Sequence, residues 1–191
     1  MKVPIGVSAR HMHMTKDTYQ FLFQKEELTE LKPLKQTGQY AATDQVMIKT
    51  KKGQLEKVRI LGPFRDYNQI EISKTDAYKL GINPPVHTSG NVEQSEPVTV
   101  VGPYGEIELP QGCIIAERHL HISRSDAETL QLKNHQPIAI RVTGDKAATL
   151  EKVHVKIAEN TYTEVHLDTD DANACLLKEG DLVEVVIPEN E

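Results

Sequence analysis

Two four-residue segments carry the clearest chemical potential in the chain: Arg10-His11-Met12-His13 and Arg118-His119-Leu120-His121. Residues i and i+2 of a β-strand point to one face, so each His-x-His pair can aim two imidazoles at a single metal ion. Zinc takes histidine nitrogens at about 2.0–2.1 Å and commonly adds a carboxylate or a third histidine. A catalytic zinc keeps one position open for water or substrate. A single pair is a weak signal, because a polar edge strand can be spelled the same way. Two pairs, 108 positions apart, are a stronger one. Met12, Met14, Leu120 and Ile122 should then face the core, with the histidines on the other face. The two elements read as metal-binding strands of one active site.

A third ligand for each pair comes from a second, weaker repeat. Gln69-Ile70-Glu71-Ile72 matches Glu164-Val165-His166-Leu167 at an offset of 95. Glu71 and His166 each stand alone between aliphatic neighbours. On pattern alone either could be a solvent-facing residue of an alternating strand. Their matched positions, and the need of each pair for a third donor, favour ligation and predict two metals rather than one. A two-histidine, one-glutamate set and a three-histidine set both suit zinc, and the first also suits other transition metals. Arg10 and Arg118 point opposite to the adjacent histidine, which makes a structural salt bridge their default role. Arg65 lies in the turn Gly62-Pro63-Phe64-Arg65-Asp66, just before the Glu71 strand. There it could hold a phosphate with its forked guanidinium, or simply be an exposed loop arginine.

Other chemistries lack their signatures. The chain has neither a Gly-x-x-x-x-Gly-Lys-Ser/Thr loop nor a Gly-x-Gly-x-x-Gly fingerprint, and no Gly-x-Ser-x-Gly elbow. Cys113 and Cys175 lie in apolar runs and read as packing residues. His87 and His135 sit in expected loops without a pattern. The run Asp168-Thr169-Asp170-Asp171 reads as a helix start favoured by the helix dipole, and it lacks the glycine and closing glutamate of a calcium loop.

The elements that must position these residues form a duplicated unit. Short apolar runs, Ile5-Gly6-Val7 and Cys113-Ile114-Ile115, precede the histidine segments. Thr15 and Ser123 follow as candidate N-caps. Short helices are expected over 15–24, 74–80, 124–131 and 170–177. Val46–Thr50 and Leu55–Leu61 flank a turn and predict a hairpin. Pro97–Val101, Ile107–Leu109, Ile138–Val142, Leu150–Ile157 and Leu182–Ile187 also read as strands, and Asn83–Glu96 as a loop. Frequent Gly and Pro suit small barrels. The fold class is therefore mainly β: two small β-barrels from an internal duplication, capped by short helices.

The 191 residues allow one large domain or two small ones, and 38% hydrophobic residues suffice for a core. A formal charge of −6 argues against a general nucleic-acid binder. No run approaches the roughly 20 apolar residues of a membrane span. No secretory signal is evident, and two cysteines do not make a disulfide scaffold, so a cytoplasmic protein is expected.

Taken together, the segments Val3–His13, Gly38–Ala42, Leu61–Arg65, Ala116–His121 and His166–Asn173 resemble the phosphate propanoyltransferases, the PduL-type phosphate acyltransferases, in the family's order over nearly the whole chain. The resemblance implies reversible transfer of a short acyl group, acetyl or propanoyl, between coenzyme A and inorganic phosphate. It also implies two barrels with two zinc ions between them. One zinc would be held by His11, His13 and Glu71, the other by His119, His121 and His166. Arg65 would hold phosphate as the catalytic arginine. Ser8, Lys32, Arg59, Leu61, His166 and Asn173 would contact coenzyme A, with Lys35 close to Lys32 as a competing match. The family's barrels exchange a strand, which implies one domain from residues 1–8 plus 117–191 and another from 9–116. No microcompartment-targeting extension is evident before the first strand. Acyl-CoA and phosphate are the implied partners, and a homodimer is compatible with the reading. Direct attack of phosphate on the thioester, with metal assistance, requires no protein nucleophile. Two alternatives stay open: a zinc-dependent thioester hydrolase and a non-catalytic metal-binding protein.

Overall fold

The computed structural model describes residues 1–159 and 161–187. The first part of the chain runs β1 (Lys2–Ser8), β2 (His11–His13), α1 (Lys16–Phe23), β3 (Glu30–Pro33), β4 (Tyr40–Lys49), β5 (Gln54–Gly62), β6 (Gln69–Glu71) and α2 (Lys74–Leu80). It continues with β7 (Val86–His87), β8 (Glu96–Val101), β9 (Glu106–Ala116), β10 (His119–Ser123) and α3 (Arg124–Thr129). It ends with β11 (Pro137–Val142), β12 (Ala148–Ala158), β13 (Glu164–Asp168), α4 (Thr169–Ala174) and β14 (Leu182–Val186). The mainly β reading with short helical caps holds, and the expected hairpin is the antiparallel pair β4–β5. No helix of the described residues is long and apolar enough to cross a membrane.

Two compact units divide the chain. One comprises Met1–Ser8 with the residues from Glu117 on, and the other is Ala9–Ala116. In the first, β1, β13, β10, β12, β11 and β14 pair in that order and close into a barrel. Period-two alternation points Val3, Ile5, Leu120, Ile122, Val153, Val155, Val165 and Leu167 into its core. In the second, β4, β5, β2, β6, β9 and β8 close a ring of the same size, with β3 added on β4 and β7 on β9. Met12, Met14, Ile48, Ile60, Ile70 and Val100 fill it, with Tyr19, Leu22 and Phe23 of α1 packed among them. Closure leaves β2 and β10 without a free edge, which removes the polar-edge-strand explanation of their histidines.

Each barrel borrows a strand from the other half of the repeat. β1 runs straight into β2, yet it pairs with β13 and β14 in the first unit. The Cys113–Ile114 end of β9 runs toward β10, yet it pairs with β6 in the second. The helices are short because each is a capped turn between strand ends. Thr15, Ser73 and Ser123 accept from the backbone N–H three residues on, and Asp168 accepts from both Asp170 and Asp171. The Asn83–Glu96 segment is not wholly a loop. Val86–His87 form a two-residue strand against Ile115–Ala116, too short to leave a period in the sequence, and His87 is half-buried on it.

Candidate metal centres

In the second unit, β2 lies between β5 and β6, and His11 stands opposite Glu71 in antiparallel register. Met12 points to the core with no exposure, so His11 and His13 share the other face. His11, His13 and Glu71 are all buried, and one donor atom from each lies within 4.8 Å of the others. The ring nitrogens are sorted by their second partners. His11 Nδ1 donates to the Ala9 carbonyl at 2.9 Å, leaving Nε2 turned to Glu71 Oε2 at 3.5 Å. His13 makes a hydrogen bond to the Leu61 backbone, and its Nδ1 is buried with no partner. Burial, reinforced by His11, holds the His13 imidazole down to about 4, so its lone pair is available at neutral pH. Glu71 Oε1 accepts from Gln69 Nε2 at 2.7 Å.

Arg65 belongs to the same site. Its backbone N–H donates to the Met14 carbonyl at 3.0 Å, and its charge also acts on His13. Its Nε is buried with no hydrogen-bond partner. Buried polar atoms are nearly always paired, so these two are the atoms of the site best placed to take a ligand. An imidazole lone pair calls for a metal cation and a guanidinium N–H for an anion. The side chains present therefore fit a metal and an oxyanion together.

The first unit repeats the arrangement. His119 pairs with His166 in register and donates from Nδ1 to the Glu117 carbonyl at 2.9 Å, as His11 does to Ala9. The His119, His121 and His166 rings lie 4.6–5.0 Å apart, and one donor atom from each lies within 4.8 Å of the others. Burial drives His119 well below the ordinary histidine range, and burial with the neighbouring His166 takes His121 to about 4. His166 Nε2 lies 3.1 Å from Glu164 Oε1 and 3.2 Å from Tyr162 Oη, which leaves Nδ1 for a metal.

Arg10 and Arg118 serve as straps. Arg10 reaches Asp76 at 3.0 Å, and Arg118 grips Asp171 through Nε at 2.8 Å and Nη2 at 2.7 Å. Each aspartate lies five residues beyond the third candidate ligand, on the helix after it. The arginine thus ties the histidine strand to the strand–helix step carrying Glu71 or His166.

A family model for phosphate propanoyltransferase matches residues 4–178. A phosphate propanoyltransferase of Lachnoclostridium phytofermentans is 43% identical over 186 residues, covering 96% of this chain and 87% of the relative. That of Thermotoga maritima is 42% identical over 184 residues, with 95% and 88% covered. That of Salmonella typhimurium is 41% identical over 173 residues, with 90% and 82% covered. The chain belongs to the phosphate propanoyltransferase family. Of the positions that the family resemblance assigned to coenzyme A, Ser8, His166 and Asn173 lie in the first unit. Ser8 pairs with Asp168, the N-cap of the helix on which Asn173 is exposed. Lys32, Arg59 and Leu61 lie in the second unit. Lys32 is exposed on β3, and Leu61 supplies the backbone bond to His13. Arg59 stands opposite His11, and its Nη1 donates to the Ala42 and Thr43 carbonyls at 3.0 and 2.8 Å. Sequence reasoning assigned no role to Gln69, Tyr162 or Glu164. For two of them the signal was present, since Gln69 and Glu164 open the 95-residue repeat two positions before Glu71 and His166.

Proposed function

We propose that this member of the acyltransferase class moves a short acyl group, acetyl or propanoyl, reversibly between coenzyme A and inorganic phosphate, with metal assistance. The observation that carries the reading is the pair of unpartnered buried groups in one site, His13 Nδ1 and Arg65 Nε. His11, His13 and Glu71 would hold one zinc ion, and His119, His121 and His166 the other. Bound there, the metals would supply Lewis-acid stabilisation of negative charge on the thioester carbonyl oxygen or the departing thiolate.

The rest of the chemistry falls to the chain itself. Arg65 presents its guanidinium to phosphate and offsets the repulsion between phosphate and the anionic coenzyme. A phosphate oxygen, so held, attacks the thioester carbonyl carbon. The C–O bond forms, the C–S bond breaks, and coenzyme A departs as thiolate. Both products and reactants are activated acyl groups, which suits a reversible transfer. No protein nucleophile is needed. Cys113 and Cys175 are buried, and burial pushes the Cys113 thiol up to about 12, far from the thiolate form. Ser8, Lys32, Arg59, Leu61, His166 and Asn173 are proposed to line the coenzyme A path, and residues 1–8 with 117–191, and 9–116, are proposed as the domains.

A coupled assay of phosphate-dependent CoA release tests this directly, with acetyl-CoA and propanoyl-CoA as substrates. Arg65→Ala and His13→Ala should each lose at least about 100-fold in kcat/KM, the scale on which removing one transition-state charge contact acts. Near wild-type rates in both, a stable acyl-enzyme, or thioester cleavage that proceeds equally well without phosphate would overturn it.

A further inference from the structure

The duplicated sites differ in one position that binds and in one that does not. Where the second unit has Gln69 and Glu71, the first has Glu164 and His166. Gln69 has no exposure, and its amide is locked. Its Oε1 accepts from the Gly90 N–H at 2.7 Å, so Nε2 must face Glu71 Oε1 at 2.7 Å and Ser89 Oγ at 3.0 Å. Glu164 is 2% exposed, stands opposite His121 in register and meets His166 Nε2 at 3.1 Å. A donor is thus set behind a carboxylate ligand, and an acceptor behind an imidazole ligand. An imidazole that binds a metal is uncharged, so the two repeats place the same carboxylate charge in different places. The second unit carries it on the ligand, and the first carries it two residues earlier, behind the ligand.

The backbone is shaped for this. Gly6 pairs with His166 across β1 and β13, and a Cβ there would stand 2.4 Å from Glu164 Oε1. The repeat-equivalent residue is Ile114, which pairs with Glu71 in the other barrel, where no buried carboxylate has to be housed behind the ligand. The glycine is therefore explained by the Glu164 carboxylate rather than by a turn.

We infer that Gln69 and Glu164 are matched positioning residues, each fixing the orientation and basicity of the third metal ligand in its own site, and that they must be exchanged together with that ligand. Gln69 holds the Glu71 carboxylate by donating to it. Glu164 fixes the His166 ring by accepting from Nε2, turning Nδ1 to the metal. The inference rests on the proposed metal sites and adds to them an interdependence between ligand and support. Residues behind metal ligands typically change affinity by about 10- to 100-fold, enough to read site by site.

The experiment uses full-length protein loaded with zinc, then dialysed against a graded chelator, with metal per chain read by elemental analysis. Cobalt(II) absorption of reloaded protein reports the ligand geometry. Wild type should hold two equivalents. Glu164→Gln, which keeps the side-chain shape, should lose one equivalent at about 10- to 100-fold lower chelator strength. Gln69→Glu, which sets a second carboxylate against Glu71, should lose the other. The decisive variant is Gln69→Glu with Glu71→His, which rebuilds the first unit's pair inside the second. It should retain metal better than Gln69→Glu alone and better than Glu71→His alone, with a cobalt spectrum shifted toward that of a three-histidine site. Single variants that keep both metals like wild type, or a double variant no better than either single, would overturn the inference. A wild type that holds no metal would overturn the metal sites themselves, and this inference with them.

Discussion

Gly6→Ala is a one-carbon change whose cost can be worked from the site. The new Cβ would lie 2.4 Å from Glu164 Oε1 and 3.1 Å from both Glu164 Cδ and His166 Cδ2. Ordinary contact begins at 3.4 Å, so the carboxylate has to retreat by about 1 Å. It cannot retreat freely, because Glu164 is itself only 2% exposed and lies against the His166 ring. Overpacking of this kind costs about 1–3 kcal/mol. The retreat also stretches the 3.1 Å Glu164–His166 contact past hydrogen-bonding range, adding about 1–3 kcal/mol for a buried group left unpaired. Alanine's smaller unfolded-state entropy returns about 0.4–1 kcal/mol. The net loss is about 1–5 kcal/mol, all of it in the first barrel. For a unit of this size each kcal/mol shifts the melting temperature by about 4–8 °C, so calorimetry of the metal-free protein should show a fall of at least about 4 °C. Metal-loaded protein should at the same time hold one equivalent less after mild dialysis. A variant that melts within about 2 °C of wild type and keeps both metals would refute the packing account of Gly6, since even its lower bound predicts more.

Further predictions concern acid, packing and metal. His13 and His121 sit at about 4 in the folded metal-free protein, against 6.5 for an ordinary histidine. The unfolded chain therefore binds these protons first. Stability should be full above pH 6.5 and fall as pH drops from 6.5 toward 4, by about 3 kcal/mol for each histidine. His119, held low by burial, adds in the same direction. Denaturant titrations at several pH values would check this, and a flat profile would contradict it. Met12→Ala and Leu120→Ala each empty a fully buried position beneath a histidine pair and should cost about 2–5 kcal/mol, measured by chemical denaturation, with metal loss confined to the altered barrel. Removing metal with a chelator should abolish phosphate-dependent CoA release, and zinc should restore it. Activity that survives metal removal confirmed by elemental analysis would speak against the metal-assisted route.

How much of this is legible in the sequence differs from residue to residue. The alternation His11-Met12-His13 encodes which side chains go inward, because a strand's period is local. The caps at Thr15 and Ser123 are legible for the same reason: one side chain and one backbone N–H three residues away decide them. The structural role of Arg10 and Arg118 follows from facing opposite the histidines, although their partners Asp76 and Asp171 lie 66 and 53 residues away and leave no local trace. Glu71 and His166 stand out only because the repeat is read twice. The ring orders β4–β5–β2–β6–β9–β8 and β1–β13–β10–β12–β11–β14 are not written in any window, since they depend on which apolar faces close around a common core. The 3.1 Å contact of Glu164 with His166 spans only two residues of β13, but the burial of that carboxylate comes from β1 and β10 on either side and is not written locally. Short strands such as Val86–His87 are lost because two residues cannot show a period.

The exchanged first strand sets a timetable for synthesis. Every strand of the Ala9–Ala116 barrel has been made once β9 is complete, so that barrel can close early on partners already present. The barrel that houses β1 cannot. Ile5 pairs with Val165, and Val3 with Val183, so β1 has to wait for β13 and β14, made more than 150 residues later. Closing so long a loop is slow, and its entropic cost must be met before any of the pairing is gained. Until then Val3 and Ile5 belong to an unpaired apolar strand tethered to a finished barrel, the kind of segment that invites pairing with another chain. Nascent chains stalled before β13 should therefore aggregate through their first eight residues, and a circular permutant that moves β1 to follow β14 should fold faster while leaving every residue of both candidate metal sites in place.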